Sequence, residues 1–124
     1  MEPDSEPRKL TIVTVVFNAA DLLEATIRSV RKTEFPQIEY IVIDGGSQDG
    51  TLDIIHDNSD SIDIWISDRD KGLYDAMNKG LHLASGEFIW FVNAGDHIAS
   101  SEILQKILSS ISSEIDVIYG EVMI

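Results

Sequence analysis

The chain has 124 residues, with 22 Asp and Glu against 9 Lys and Arg, for a formal net charge of −13. This length fits one domain, and 44% apolar with 25% charged residues is a globular composition rather than a disordered one. The acidity argues against nucleic acid and anionic membrane surfaces, which are held by clustered Lys and Arg, and the absence of cysteine excludes disulfides, zinc–thiolate sites and thiol nucleophiles. A polyanionic ligand would need a cation to accompany it.

Residues 1–9 are polar, with two prolines, and read as a flexible segment ahead of a domain at 10–124. They carry no apolar run like a signal sequence. The apolar stretches Leu10–Phe17 and Phe88–Val92 are far shorter than the roughly 18 residues of a membrane span. The expectation is a cytoplasmic chain whose contact with a membrane, if any, is made through a substrate or a partner.

Short β-rich runs and helical stretches alternate. Leu10–Phe17 (LTIVTVVF) is β-branched and nearly unbroken, the pattern of a strand buried on both faces. Asp21–Lys32 places Leu23, Ile27 and Val30 on one helical face. Ile38–Ile43 is a second strand behind Pro36, and Thr51–His56 a short helix with Asp49 as its expected cap. Ile62–Ile66 is a third strand, followed by a helix at Leu73–Ala84 with Leu73, Met77, Leu81 and Ala84 on one side. Glu87–Val92, a helix at Ser101–Ile111 and a fifth strand at Ile115–Tyr119 complete the series. Strands alternating with helices predict an α/β fold with a mainly parallel sheet flanked by helices. The chain closes on Val122, Met123 and Ile124 with no final helix, so the domain is expected to be cut after its fifth strand.

Ligands of open parallel sheets bind beyond the carboxyl ends of the strands. The segments there are Asn18, Asp44–Gly50, Ser67–Gly72, Asn93–Asp96 and Gly120–Glu121, all polar, small or acidic. No G-x-G-x-x-G follows the first strand and no G-x-x-x-x-G-K-[ST] occurs, which removes the main support for dinucleotide and P-loop readings. An edge rich in carboxylates suits pyrophosphate once Mg²⁺ or Mn²⁺ bridges the oxygens. Asp96 is the best metal ligand, because Gly95 frees the backbone to turn its carboxylate inward.

The stretches TIVTVVFNA (11–19), YIVIDGGSQDGT (40–51), SDRDKGLYDAMNKGL (67–81), GEFIWFVNAGD (86–96) and DVIYGEV (116–122) together closely resemble the inverting nucleotide-sugar glycosyltransferases of family 2. The resemblance implies a Rossmann-like GT-A fold, a nucleoside diphosphate-sugar donor, a saccharide or lipid-linked acceptor and a divalent cation, Mn²⁺ or Mg²⁺. It places Phe17 and Asn18 at the nucleotide pocket and Asp44 as the first acid of a D-D-G-S element touching base and ribose. Gly45 stands where that element has its second acid. Asp70, Lys71, Asp75 and Asn78 fall in a D-x-G…N-x-G segment near the donor. Asn93, Gly95 and Asp96 form the metal-motif turn, with Gly95 in place of the preceding acid. The general base is expected after the fifth strand, beyond Ile124, and Glu121 comes too early for it. The D-G-G-S form resembles a subtype acting in polysaccharide assembly.

Plainer readings stand beside these. Asp44-Gly-Gly and Asn93-Ala-Gly-Asp96 are also good turn sequences. Asp75 reads equally as a surface charge, and Lys71 or Arg69 as a phosphate contact or an offset to neighbouring acids. His56 and His82 read as solvated, His97 as a residue approaching the next helix, and Trp65 and Trp90 as core. Two other function classes are open to this composition. A non-catalytic nucleotide-sugar-binding fragment would have the same donor residues without a base. A phosphoacceptor receiver domain needs an acid pair after the first strand, a Lys after the fifth and a closing helix, and the sequence has none of these.

Overall fold

Residue parity along the first strand sets the architecture. Leu10, Ile12 and Val16 point to one face of the sheet and Val13 to the other, and all four are buried. The computed structural model describes residues 10–32, 38–86 and 88–96, with the backbone of 117–119. Five strands, Leu10–Val16 (β1), Ile38–Asp44 (β2), Ile64–Ser67 (β3), Phe88–Phe91 (β4) and Val117–Tyr119 (β5), form one sheet in the order β3-β2-β1-β4-β5. Every pairing is parallel. The order reverses between β1 and β4, which makes the carboxyl end of β1 a topological switch point. The flavodoxin-like order 2-1-3-4-5, which the receiver reading would require, is not this one.

Ala20–Arg31 (α1) buries Leu23, Thr26, Ile27 and Val30, as its spacing predicts. With Ile55 of Thr51–Asp57 (α2), Leu23, Ile27 and Val30 join Leu10, Ile12, Val16, Tyr40, Val42, Phe88 and Trp90 in one core layer. The other face packs Val13, Ile41, Ile43 and Phe91 against Ala76 of Leu73–Leu83 (α3). Trp90 is core as expected. Trp65 is only partly buried and takes the ring of His56 edge-on at 5.0 Å.

The expected apolar stripe on α3 holds at Met77 and Ala84, which pack partly buried against the layer of Val13 and Phe91, and is corrected at its other two positions. Ala76 and Gly80 form its buried line, while Leu73 and Leu81 are exposed. A Cβ on Gly80 would lie 2.7 Å from Val13 Cγ1, so α3 sits closer to β1 than any larger residue permits. Strand limits also shift by a residue or two. β1 ends at Val16, leaving Phe17 outside, and β3 starts at Ile64 after a 3₁₀ turn at Ser59–Ser61. The predicted helix at 101–111, His97, and the 120–121 segment lie outside the described residues.

Two polar clusters fix the connections. At the amino end of the sheet, the Glu39 carboxylate accepts from Thr11 Oγ1, the Ser85 amide and Ser85 Oγ, each at 2.8 Å, and the Gly86 amide donates to Thr11 Oγ1 at 2.9 Å. This anchors the end of α3. At the carboxyl end, Asp49 stands one residue ahead of the cap position expected for it. The cap position of α2 is Gly50, yet the Asp49 carboxylate accepts from the Thr51 amide at 2.9 Å, from the Thr51 hydroxyl, and from the Ala20 amide of α1 at 3.2 Å. One carboxylate thus serves two helix starts, where negative charge is favoured.

The close approach at Gly80 predicts an inverted substitution effect. Gly→Ala in a helix normally stabilises by about 0.4–1 kcal/mol; here Gly80→Ala should destabilise by about 1–3 kcal/mol through overpacking. Adding Val13→Ala should recover part of that loss as a non-additive term in urea unfolding. The Thr51 hydroxyl, followed by the backbone amides, holds the Asp49 pKa below its ordinary value. Its stabilising contribution is therefore complete above the unfolded-state pKa and is lost as pH falls through the lower folded-state value. Urea midpoints of the wild type and Asp49→Asn should differ near neutrality and converge below the ordinary carboxylate pKa of 3.8.

Candidate functional site

The strand register brings Val16, Asp44 and Ser67 side by side at the carboxyl edge. Asp44 is 1% exposed, and both its oxygens are engaged. Oδ2 accepts from the amides of Gly46 (3.1 Å) and Ser47 (3.0 Å) and from Ser67 Oγ (2.7 Å), while Oδ1 accepts from Ser47 Oγ at 2.5 Å. Ser47 Oγ in turn accepts from the Asn18 amide at 2.7 Å, and Asn18 Oδ1 accepts from the Gln48 amide at 2.8 Å. Asn18 adopts a left-handed φ of 48°, a conformation Asn tolerates better than most residues. The geometry gives Asp44 the task of shaping the 45–47 loop and joining three strand ends.

Between this loop and α3 lies a cavity of about 740 Å³, within the range of small-molecule sites. Of the expected residues, Phe17, Asn18, Gly45 and Asp70 line it. Gly46, Gln48, Arg69, Gly72 and Leu73 join them, none of them marked as a site residue by a motif, and Arg69 distinguished from Lys71 only by its place on the wall. Phe17 is 62% exposed, an apolar ring at the cavity wall rather than in the core. Gly46 and Gly72 have positive φ, which lets the two loops turn sharply at the wall. Asp70 Oδ1 accepts from the Gly72 amide at 3.0 Å.

Lys71, Asp75 and Asn78 are not among the lining residues. Asp75 accepts from the Lys71 amide at 2.9 Å and lies 3.9 Å from Lys79 Nζ, so its geometry is that of a charge supporting the start of α3. Asn78 is exposed on the same helix. Of the two basic residues, Arg69 reaches the cavity and Lys71 does not.

The turn after β4 lies on the other side of β1. Tyr40 and Thr14 hydroxyls bond at 2.7 Å, and Thr14 donates to the Val92 carbonyl at 2.6 Å. Burial raises the Tyr40 pKa, so the phenol stays protonated and donates. Asn93 Oδ1 accepts from the Val15 amide, Gly95 (φ 98°) donates to Thr26 Oγ1, and Thr26 Oγ1 donates to the Asp96 carbonyl. Asp96 Oδ2 accepts from the Asn93 amide at 3.2 Å. Among the described residues, no three His, Cys, Asp or Glu side chains gather as a metal cage. Asp96 alone fits a hard cation held by one protein carboxylate and a ligand's phosphates, the usual Mg²⁺ arrangement.

The model of the family described as Glycosyl transferase family 2 matches residues 11–124. An uncharacterized glycosyltransferase of Mycobacterium tuberculosis is 34% identical over 106 residues, covering 85% of this chain and 40% of the relative. The crystal structure of TarS from S. aureus in complex with UDP-GlcNAc has a TM-score of 0.72 at 25% identity, over 82% of this chain and 30% of that one. A mannosyltransferase from Pyrobaculum calidifontis, in complex with GDP-Man and Mn²⁺, shares the fold at a TM-score of 0.72 and 20% identity, over 82% of this chain and 31% of that one. The chain thus spans less than half the length of these proteins. Among the described residues no helix is long and apolar enough to cross a membrane. A family match over nearly the whole chain, on a parallel sheet with its cavity at the switch-point edge, shows that the chain belongs to glycosyl transferase family 2, with the GT-A fold.

Proposed function

We propose that the chain is the donor-binding part of a glycosyltransferase that moves a sugar, with inversion, from a nucleoside diphosphate-sugar to an acceptor hydroxyl in polysaccharide or glycoconjugate assembly. The observation that carries this reading is the 740 Å³ cavity, walled by Phe17, Asn18, Gly45 and Asp70 from the stretches that resemble the family. In this reading the nucleoside enters the cavity, with Phe17 against the base and Asn18 fixed by its bonds to Ser47 and Gln48. Asp44 acts through the loop it holds rather than by touching the nucleoside. Arg69 meets phosphate in preference to Lys71. Lys71, Asp75 and Asn78 support the segment on the donor side.

Asn93, Gly95 and Asp96 face the diphosphate across β1, with Asp96 as the protein ligand of Mn²⁺ or Mg²⁺. A cation there would neutralise the charge of the leaving diphosphate. Inverting transfer also needs a base in line with the anomeric carbon to deprotonate the acceptor hydroxyl. The resemblance assigns that base to sequence following the fifth strand.

Thermal unfolding with UDP, GDP, CDP or dTDP, with and without Mn²⁺, tests the donor site. At about 100 times Kd a nucleotide stabilises the fold by about 2.7 kcal/mol, a rise in Tm on the order of 10 °C. The expected rise is metal-dependent. Asp96→Asn keeps an acceptor for the Asn93 amide but should lose the metal-dependent part, and a shift that survives this change would remove Asp96 from the cation site. Phe17→Ala should leave the Tm of the free protein nearly unchanged, because the ring is exposed. It should weaken nucleotide binding by about 1–3 kcal/mol of lost stacking, measured by titration calorimetry.

A further inference from the structure

We propose that Asp70 is the specificity-determining carboxylate of the cavity, selecting a nucleobase that presents a ring N–H, and that Gly45 is the vacancy which admits it. The inference rests on the reading of the cavity as a nucleoside diphosphate site.

The observation is a steric one. A Cβ built on Gly45 would lie 2.8 Å from Asp70 Oδ2 and 3.2 Å from both Asp70 Cγ and Oδ1. Real Cβ contacts are not that short, so the Asp70 carboxylate fills the place where any side chain at 45 would begin. Position 45 is also where this sequence departs from the D-D-G-S pattern. Residues 45 and 70 therefore compete for one space, and here the carboxylate arrives from the loop after β3 instead of the loop after β2.

The chemistry of the wall adds direction. Among the described residues that line the cavity, Asp70 is the one acid and Arg69 the one cation. Asp44, the neighbouring acid, has both oxygens committed within its own loop. Asp70 spends Oδ1 on the Gly72 amide, which fixes its orientation, and turns Oδ2 toward Gly45. A carboxylate only accepts and a guanidinium only donates. Lining one cavity, they complement a ring N–H next to a carbonyl, as in uracil, thymine and guanine. Cytosine and adenine set a bare ring nitrogen in that position, and a carboxylate repels it. A polar wall group that the bound base covers and leaves unmatched discriminates strongly between otherwise similar ligands.

The test measures Kd for UDP, GDP, CDP and ADP with Mn²⁺ on this chain, Asp70→Asn and Gly45→Ala. The wild type should bind the tighter of UDP and GDP about tenfold or more better than CDP and ADP. Asp70→Asn keeps the shape and the acceptor for Gly72 but exchanges one acceptor for a donor. It should weaken UDP and GDP, strengthen CDP or ADP, and bring the ratio near one. Gly45→Ala adds no charge, yet should weaken UDP and GDP by displacing the carboxylate. If Gly45→Ala does not fold, the ratio in Asp70→Asn decides. Equal weakening of all four ligands by Asp70→Asn would mean a merely structural role and overturn the proposal. So would a wild type without base preference, while metal-dependent binding of all four would leave the donor site standing. Failure of every nucleotide to bind would overturn both.

Discussion

A single buried carboxylate holds the site together. Asp44 ends β2 in register with Val16 and Ser67, and its oxygens gather the Gly46 and Ser47 amides and the hydroxyls of Ser47 and Ser67. A buried charge costs several kcal/mol unless donors surround it, so this geometry is self-enforcing: the loop must curl around Asp44 for the carboxylate to be tolerated there. Through Ser47 Oγ the same cluster reaches the Asn18 amide and sets the path of the chain as it leaves β1. The ends of β1, β2 and β3 are thereby fixed relative to one another. The cavity is the space this fixing leaves open.

The far wall of the cavity depends on close packing rather than hydrogen bonds. Gly80 against Val13, with Ala76 beside it, draws α3 onto the sheet. Glu39 holds the outgoing end of α3 through Ser85. With its end anchored and its middle pressed on β1, the helix presents Leu73 and Ala76 to the cavity. Stability at the amino edge and shape at the carboxyl edge are therefore linked through one rigid element.

Much of this was legible in the sequence, for identifiable reasons. β1 and β2 are unbroken apolar runs because both faces are covered, and α1 carries a clean i, i+4, i+7 row. The polar strand ends mark the edge where the cavity lies. α3 is only half legible because periodicity rewards large residues: Met77 and Ala84 do pack against the sheet, but the fully buried line is Ala76 and Gly80. Leu73 and Leu81 looked like core and are exposed. The partners of Asp44 are not legible, because residue type and strand position do not reveal them; Ser67, 23 residues on, is what completes its shell. The choice between Arg69 and Lys71 was equally closed to sequence, since it turns on how the loop bends at Gly72. Gly45 did carry a readable signal, a missing acid, whose meaning required the position of Asp70.

The net charge of −13 now divides into parts with different physics. Glu39, Asp44, Asp49, Asp63 and Asp75 each accept from backbone amides, so much of the acidity serves the architecture. Their charges are offset by oriented N–H dipoles and need no bound cation. Two acids beyond the strand ends, Asp70 on the β2–β3 side of β1 and Asp96 on the β4 side, each give only one oxygen to a backbone amide. They stand on opposite sides of the switch-point strand. In the proposed reading this separation divides the labour: a carboxylate at the cavity wall reads a neutral base by its hydrogen, and a carboxylate across β1 meets the charged diphosphate. The same group serves the first task unaided and the second only through a cation, because a base offers a donor where a phosphate offers only further acceptors.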